Sequence, residues 1–166
     1  MTRKTVFIVF LILSVLWLGF IFSNSFDSGE QSSDKSHTVT VIVNQVASSV
    51  GVKQEIKEST VRTLAHFAEF AVLGVLVCAD LLLAPLPRLK VTHGRTLAVL
   101  CASLPVCFIC ACIDELIQKF SSGRVSDFSD VLTDSLGSLS GIAMFVLTYA
   151  VCLAVKHKRL KKVDTL

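Results

Sequence analysis

Four apolar stretches of bilayer length decide what this chain can fold into: Thr5–Phe22, Val61–Ala84, Thr96–Ile113 and Ser135–Val155. A helix needs about 20 residues to cross a hydrocarbon core of about 30 Å. Inside that core every backbone polar group must be satisfied by the protein itself, so spans are helical or form closed barrels. Of the 166 residues, 52% are hydrophobic and only 17% charged, with a mean hydropathy of +0.69. The expectation is an all-α membrane protein, one membrane domain over residues 1–166 with four transmembrane helices. Arg3-Lys4 precedes the first run in the manner of a signal peptide. Its apolar part is 18 residues long, beyond a signal core of about 7–15, and Ser23-Asn24-Ser25 is a poor cleavage site, so we read a retained helix.

Lysine and arginine give the orientation. Ten of the 16 would share the side of the termini, namely Arg3, Lys4, Arg88, Lys90, Arg95, Lys156, Lys158, Arg159, Lys161 and Lys162. Positive charge stays inside, so both termini are expected in the cytoplasm of a multi-pass protein of the cell membrane. Eleven of the 13 acids, all except Asp80 and Asp164, fall on the other side. The net charge of +3 is mostly the basic inner rim, which suits anionic lipid and gives no reason to invoke nucleic acid. Asp80, near the inner edge, is expected to pair with Arg88 or another basic neighbour.

Between the first two spans, Ser23 to His37 reads as a polar loop dense in turn formers. Ser23 and Ser25 stand at its membrane boundary as candidate donors to an anionic headgroup. Val39, Ile42, Val43, Val46 and Val50 then recur at helical spacing, which predicts a short amphipathic outer helix. Six cysteines, Cys78, Cys101, Cys107, Cys110, Cys112 and Cys152, lie inside apolar runs. Cys110 and Cys112 would point about 200° apart on a helix, so we read the cysteines as small residues at helix contacts rather than metal ligands.

The chemistry gathers at the outer ends. Arg62, His66 and Glu69 follow i, i+4, i+7 spacing and share a helix face. Asp114, Glu115 and Gln118 close the third span, and Asp127, Asp130 and Asp134 open the fourth, with Asp127 also a candidate N-cap. Against six carboxylates stand Arg62, Lys119 and Arg124. Acids in such excess near hydrocarbon must protonate, bind a cation or stay wet. Glu69, Asp114, Glu115 and Asp134 are therefore candidate ligands of a divalent cation. Arg62 and Arg124 are candidate grips for a phosphate or carboxylate, with Gln118, Asp130 and Asp134 beside them. His66, Glu69, Asp114 and Glu115 are the candidate acid–base groups. No nucleophilic triad, Gly-rich phosphate loop, HExxH or dinucleotide motif is present, so no reaction is specified. Below Asp134, Gly137 and Gly141 form a GxxxG pair.

These motifs resemble the VanZ-like membrane proteins. The resemblance runs from about Phe22 to Gly141. It rests on Phe22-Ser23-Asn24-Ser25, the serines near Ser32 and Ser36, and Arg62-x-x-Ala-His66-Phe-x-Glu69-Phe70. Asp114-Glu115-x-x-Gln118-x-Phe, Gly123-Arg124 and Asp130-x-x-x-Asp134-x-x-Gly137-x-x-x-Gly141 complete it. Phe70 stands where the family often has tyrosine, and Ser122 where proline often precedes Gly-Arg. The family's namesake is associated with resistance to teicoplanin-type glycopeptides. The resemblance implies a cell-envelope role: binding or altering an envelope lipid, a lipid-linked cell-wall intermediate or an antibiotic target. A membrane-embedded hydrolase of polyprenyl or lipid phosphates is the alternative.

Overall fold

The computed structural model of the chain describes residues 2–85, 93–124 and 127–163. They form five helices: α1 (Arg3–Ser25), α2 (Gly29–Ser49), α3 (Glu58–Leu83), α4 (His93–Phe120) and α5 (Phe128–Val163), with no strand among them. Four helices, α1, α3, α4 and α5, are long and apolar enough to cross a membrane. The expected basic turn at Arg88 and Lys90 lies outside the described residues, as does Asp164.

The spans run further than their apolar stretches. α4 continues through Asp114 to Phe120 and α5 begins at Phe128, so polar turns extend both helices at the end of the bundle that carries α2. Pro105 sits inside α4 without ending it.

The segment read as a polar loop is corrected from Gly29 onward, where it is the first half of α2. Ser28 caps that helix: its Oγ accepts from Gln31 N at 3.2 Å while Gln31 Oε1 accepts from Ser28 N at 3.0 Å. This reciprocal box satisfies two of the donors a helix start leaves orphaned. α2 stops at Gly51, whose φ of 89° suits glycine. Asn44 then fastens the returning chain with two hydrogen bonds to the Ile56 backbone, 3.1 Å and 2.8 Å.

α3 and α5 make the most extensive helix pair, and glycines let them touch backbone to backbone. A Cβ at Gly137 would fall on the Phe67 carbonyl, one at Gly141 on that of Ala71, and one at Gly74 on that of Ser138. The partner of the GxxxG pair is therefore α3. Beside this seam Ile21, Phe70, Leu73, Cys78, Cys107, Ala111, Val131 and Ile142 form the apolar core. The reading of cysteines as helix contacts fits Cys78 and Cys107, which are buried. Cys101, Cys112 and Cys152 lie exposed on helix flanks. α1 leaves Ile8, Leu11, Ile12, Val15 and Leu16 exposed along its length, as a lipid-facing helix does.

At the end away from α2, Arg3 donates to the Leu82, Leu83 and Ala84 carbonyls at 3.1–3.2 Å, closing the C-terminus of α3. Nearby, Ser14 Oγ donates to Asp80 Oδ2 at 2.5 Å, while Arg88, the basic partner expected for this acid, lies outside the described residues.

The glycine seam makes a clear prediction. Gly141→Leu should destabilise the detergent-solubilised protein by at least the 1–3 kcal/mol, roughly, of an overpacked core. Gly19→Ala, with open space around its Cβ, should leave the melting temperature unchanged or slightly higher. Thermal unfolding followed by circular dichroism checks both.

Candidate functional site

At the α2 end the bundle buries polar side chains that hydrocarbon would not tolerate alone. Asp114 is 0% exposed and Asp134 1%, with Ser25, Glu115 and Gln118 also buried. Asp114 is well served. Ser25 Oγ donates to its Oδ1, and Gln118 Nε2 donates to its Oδ2 at 2.7 Å. Gln118 reaches it because i and i+4 share a helix face. Ser121 Oγ in turn donates to the Ser25 carbonyl at 2.7 Å, which ties the end of α4 to the end of α1.

Asp134 is the opposite case. Neither of its oxygens has a hydrogen-bond partner among the described residues. His66 Nδ1 stands 3.6 Å from Oδ1, too far for a hydrogen bond, and is itself buried without a partner. His66, Asp114 and Asp134 each bring one ligand atom into a group whose members lie within 4.8 Å of one another.

The other acids go elsewhere. Glu115 Oε1 accepts from Asp127 N at 2.7 Å, and Asp127 Oδ1 accepts from Ser129 N at 2.9 Å. Asp127 thus caps α5 while Glu115 holds the turn before it. The Ser129 N–H bond keeps the Asp127 carboxyl below the usual aspartate range. Glu69 faces α1, where its Oε1 accepts from Asn24 Nδ2 at 3.2 Å and its carbonyl accepts from Trp17 Nε1 at 2.9 Å. Asp130 is half-buried one turn from Asp134. Glu69 and Glu115, expected beside Asp114 and Asp134 as cation ligands, lie outside the converging group, and His66 stands in their place.

A cavity of about 590 Å³ opens between α1, α2 and α3 above this group. Phe20, Val39, Val61 and Ala65 give it apolar walls. Asn24, Ser32, Lys35, Ser36, Arg62, His66, Glu69 and Arg124 supply its polar groups. Lys35 pairs with Asp27 at 2.6 Å. Among the described residues Arg62 has one ion-pair partner, Glu58 at 3.9 Å, and its Nε is buried with no hydrogen-bond partner. Arg124 donates from Nη2 to Ser32 Oγ at 2.7 Å, while its Nη1 is buried without a partner. Burial first and the neighbouring Arg62 charge second push the Arg124 pKa below the usual arginine range. Guanidinium still stays charged at neutral pH, so two cations line one cavity.

The turns that present these groups lock together. Gly29 N donates to the Ser122 carbonyl at 2.8 Å, and a Cβ on Gly29 would meet the Gly123 carbonyl. Gly123 itself has a φ of 75°. Arg124 follows directly and is delivered to Ser32.

The family model described as VanZ/LLP1 matches residues 10–149. The chain belongs to the VanZ/LLP1 family. No protein of curated function and no solved structure matches it. Family membership and four apolar helices make it a multi-pass membrane protein. The matched span of this VanZ/LLP1 chain holds every site residue named here, from Asn24 to Asp134.

Two serines separate in this geometry. Ser23 is exposed and donates only to the Phe20 carbonyl of its own helix, whereas Ser25 is buried and commits its hydroxyl inward. Neither lines the cavity, whereas Ser32, Ser36 and Asn24 do. The sequence reading ranked Ser23 and Ser25 above them because it took the segment as a loop; the Ser28-x-x-Gln31 capping box was the available signal of a helix. Ser25→Ala should cost about 1–3 kcal/mol, the range for a buried acceptor losing its donor. Ser23→Ala should be neutral. Unfolding of both variants in detergent decides the point.

Proposed function

We propose that this VanZ/LLP1 protein is a single membrane domain with both termini in the cytoplasm, and that its cavity binds the phosphate of a cell-envelope lipid. The density of lysine and arginine near the termini supports that orientation. One observation carries the ligand: two guanidiniums, Arg62 and Arg124, line one cavity, and each keeps a buried nitrogen, Nε of Arg62 and Nη1 of Arg124, that has no hydrogen-bond partner among the described residues. Like charges held together call for an anion, and arginine suits phosphate bidentately. Apolar walls beside the arginines suit the chain of a lipid rather than a free ion. A lipid-linked cell-wall intermediate has both features, and sequestering or altering one would give a teicoplanin-resistance role.

A second reading is hydrolysis of a polyprenyl or lipid phosphate. His66 favours it, since it lines the cavity with Asp134 Oδ1 3.6 Å from its Nδ1. Purified protein that releases inorganic phosphate from a polyprenyl phosphate would establish this reading over simple binding.

The test is binding of a polyprenyl monophosphate to the purified protein, followed by teicoplanin and vancomycin susceptibility of a Gram-positive host expressing it. Arg62→Ala and Arg124→Ala should each weaken binding tenfold or more, as expected for loss of charge-assisted hydrogen bonds of about 1.5–3 kcal/mol. Protection against teicoplanin should fall with binding at equal membrane abundance. Unchanged binding in both variants would refute the anion site. Binding without protection would remove the resistance role and leave the ligand.

A further inference from the structure

We propose that His66, Asp114 and Asp134 form a binding site for a first-row divalent cation, Zn²⁺ or Mn²⁺. Asp134 is 1% exposed and has no donor to either oxygen among the described residues. A buried carboxylate is costly unless something positive or hydrogen-bonding meets it. The polar groups around it do not fill that role. Ser25 and Gln118 are spent on Asp114, the Asp127 N–H is spent on Glu115, and His66 Nδ1 stops at 3.6 Å. Arg62 and Arg124 line the cavity and leave Asp134 unpaired.

The donor set suits a metal in number and arrangement. Three ligand atoms lie within 4.8 Å of one another. Atoms about 2.1 Å from a shared ion sit about 3–3.5 Å apart, so a contraction of about an ångström through side-chain rotation closes the set. Two carboxylates and a neutral imidazole carry two negative charges, which one divalent ion cancels. An imidazole among the ligands favours Zn²⁺ or Mn²⁺ over Ca²⁺, which prefers oxygens throughout. Asp114 is also prepared as a ligand. Ser25 and Gln118 each occupy one lone pair of a separate oxygen and fix the carboxylate plane, and the remaining lone pairs stay available.

Three protein ligands leave coordination positions open. His66 is the member that lines the cavity, so the open side of the ion would face the space that holds Arg62 and Arg124. Bound phosphate would then meet a metal from below and guanidinium from above. The metal site itself stands without the phosphate reading, because its ligands are complete in the protein.

The experiment uses full-length protein in detergent, free of phosphate, dialysed against micromolar Zn²⁺ or Mn²⁺ and analysed by elemental mass spectrometry. About one ion per chain is expected for the wild type. Asp134→Asn and His66→Ala should bind at least tenfold more weakly, while Glu115→Gln and Asp80→Asn should match the wild type. Pulsed electron paramagnetic resonance of the Mn²⁺-loaded wild type should show coupling to an imidazole nitrogen, a readout that needs no variant to fold. An ion-free wild type, a missing nitrogen coupling, or full binding by Asp134→Asn would overturn the proposal. Arg62→Ala should keep its metal even if it loses phosphate, so failure of one reading leaves the other visible.

Discussion

The close backbone contact of α3 and α5 is the constraint on which the rest of the structure depends. Glycine permits it at Gly74, Gly137 and Gly141, where any side chain would meet a facing carbonyl. In hydrocarbon the hydrophobic effect does not press helices together, so such packing has to come from shape. The contact also fixes register. Gly137 rests on the Phe67 carbonyl, and that seat brings His66, one residue earlier on α3, opposite Asp134, three residues earlier on α5. The polar group is thus a consequence of how the apolar seam closes. α4 completes it by setting Asp114 between them, held by Ser25 of α1 and by Gln118.

Stability and function pull apart at this end of the bundle. Asp114 is satisfied like a structural carboxylate, and Glu115 and Asp127 are absorbed into fastening the turn before α5. Both oxygens of Asp134, His66 Nδ1, Arg62 Nε, Arg124 Nη1 and the second oxygen of Glu115 stay buried without a hydrogen-bond partner among the described residues. A fold selected only to be stable would satisfy or remove them. Asp114 and Asp134 converge on His66, and Arg62 and Arg124 line the cavity that His66 also reaches. At the opposite end Arg3 caps α3 and Asp80 Oδ2 accepts from the Ser14 hydroxyl.

Much of this was legible in the sequence, for definable reasons. Spans are set by length and hydropathy, so the four helices and the placement of the charged cluster at their ends could be read directly. What could not be read is which of two neighbouring side chains turns inward. Asp114 and Glu115 differ by about 100° on α4, and only the packing of that helix sends one to the buried group and the other to the following turn. The stripe of Arg62, His66 and Glu69 was read correctly as one face. Its members line one cavity yet reach different neighbours, Glu58 for Arg62, the acids of α4 and α5 for His66, and Asn24 of α1 for Glu69, because the face spans eight residues. The polar half of α2 was missed because composition resembling a loop outweighed a capping signal. That error concealed the helix that brings Ser32 to Arg124.

The central claim is that one site at the α2 end receives a cation on its acids and a phosphate on its arginines. The most direct measurement is ³¹P relaxation of a monoalkyl phosphate added to the Mn²⁺-loaded protein. A paramagnetic ion broadens a phosphorus nucleus within a few ångströms far more than one free in solution. The account predicts strong broadening in the wild type that disappears in the Arg62→Ala, Arg124→Ala double variant, even though that protein keeps its Mn²⁺. Sharp phosphorus lines with metal and ligand both bound, or broadening that survives loss of both arginines, would contradict it.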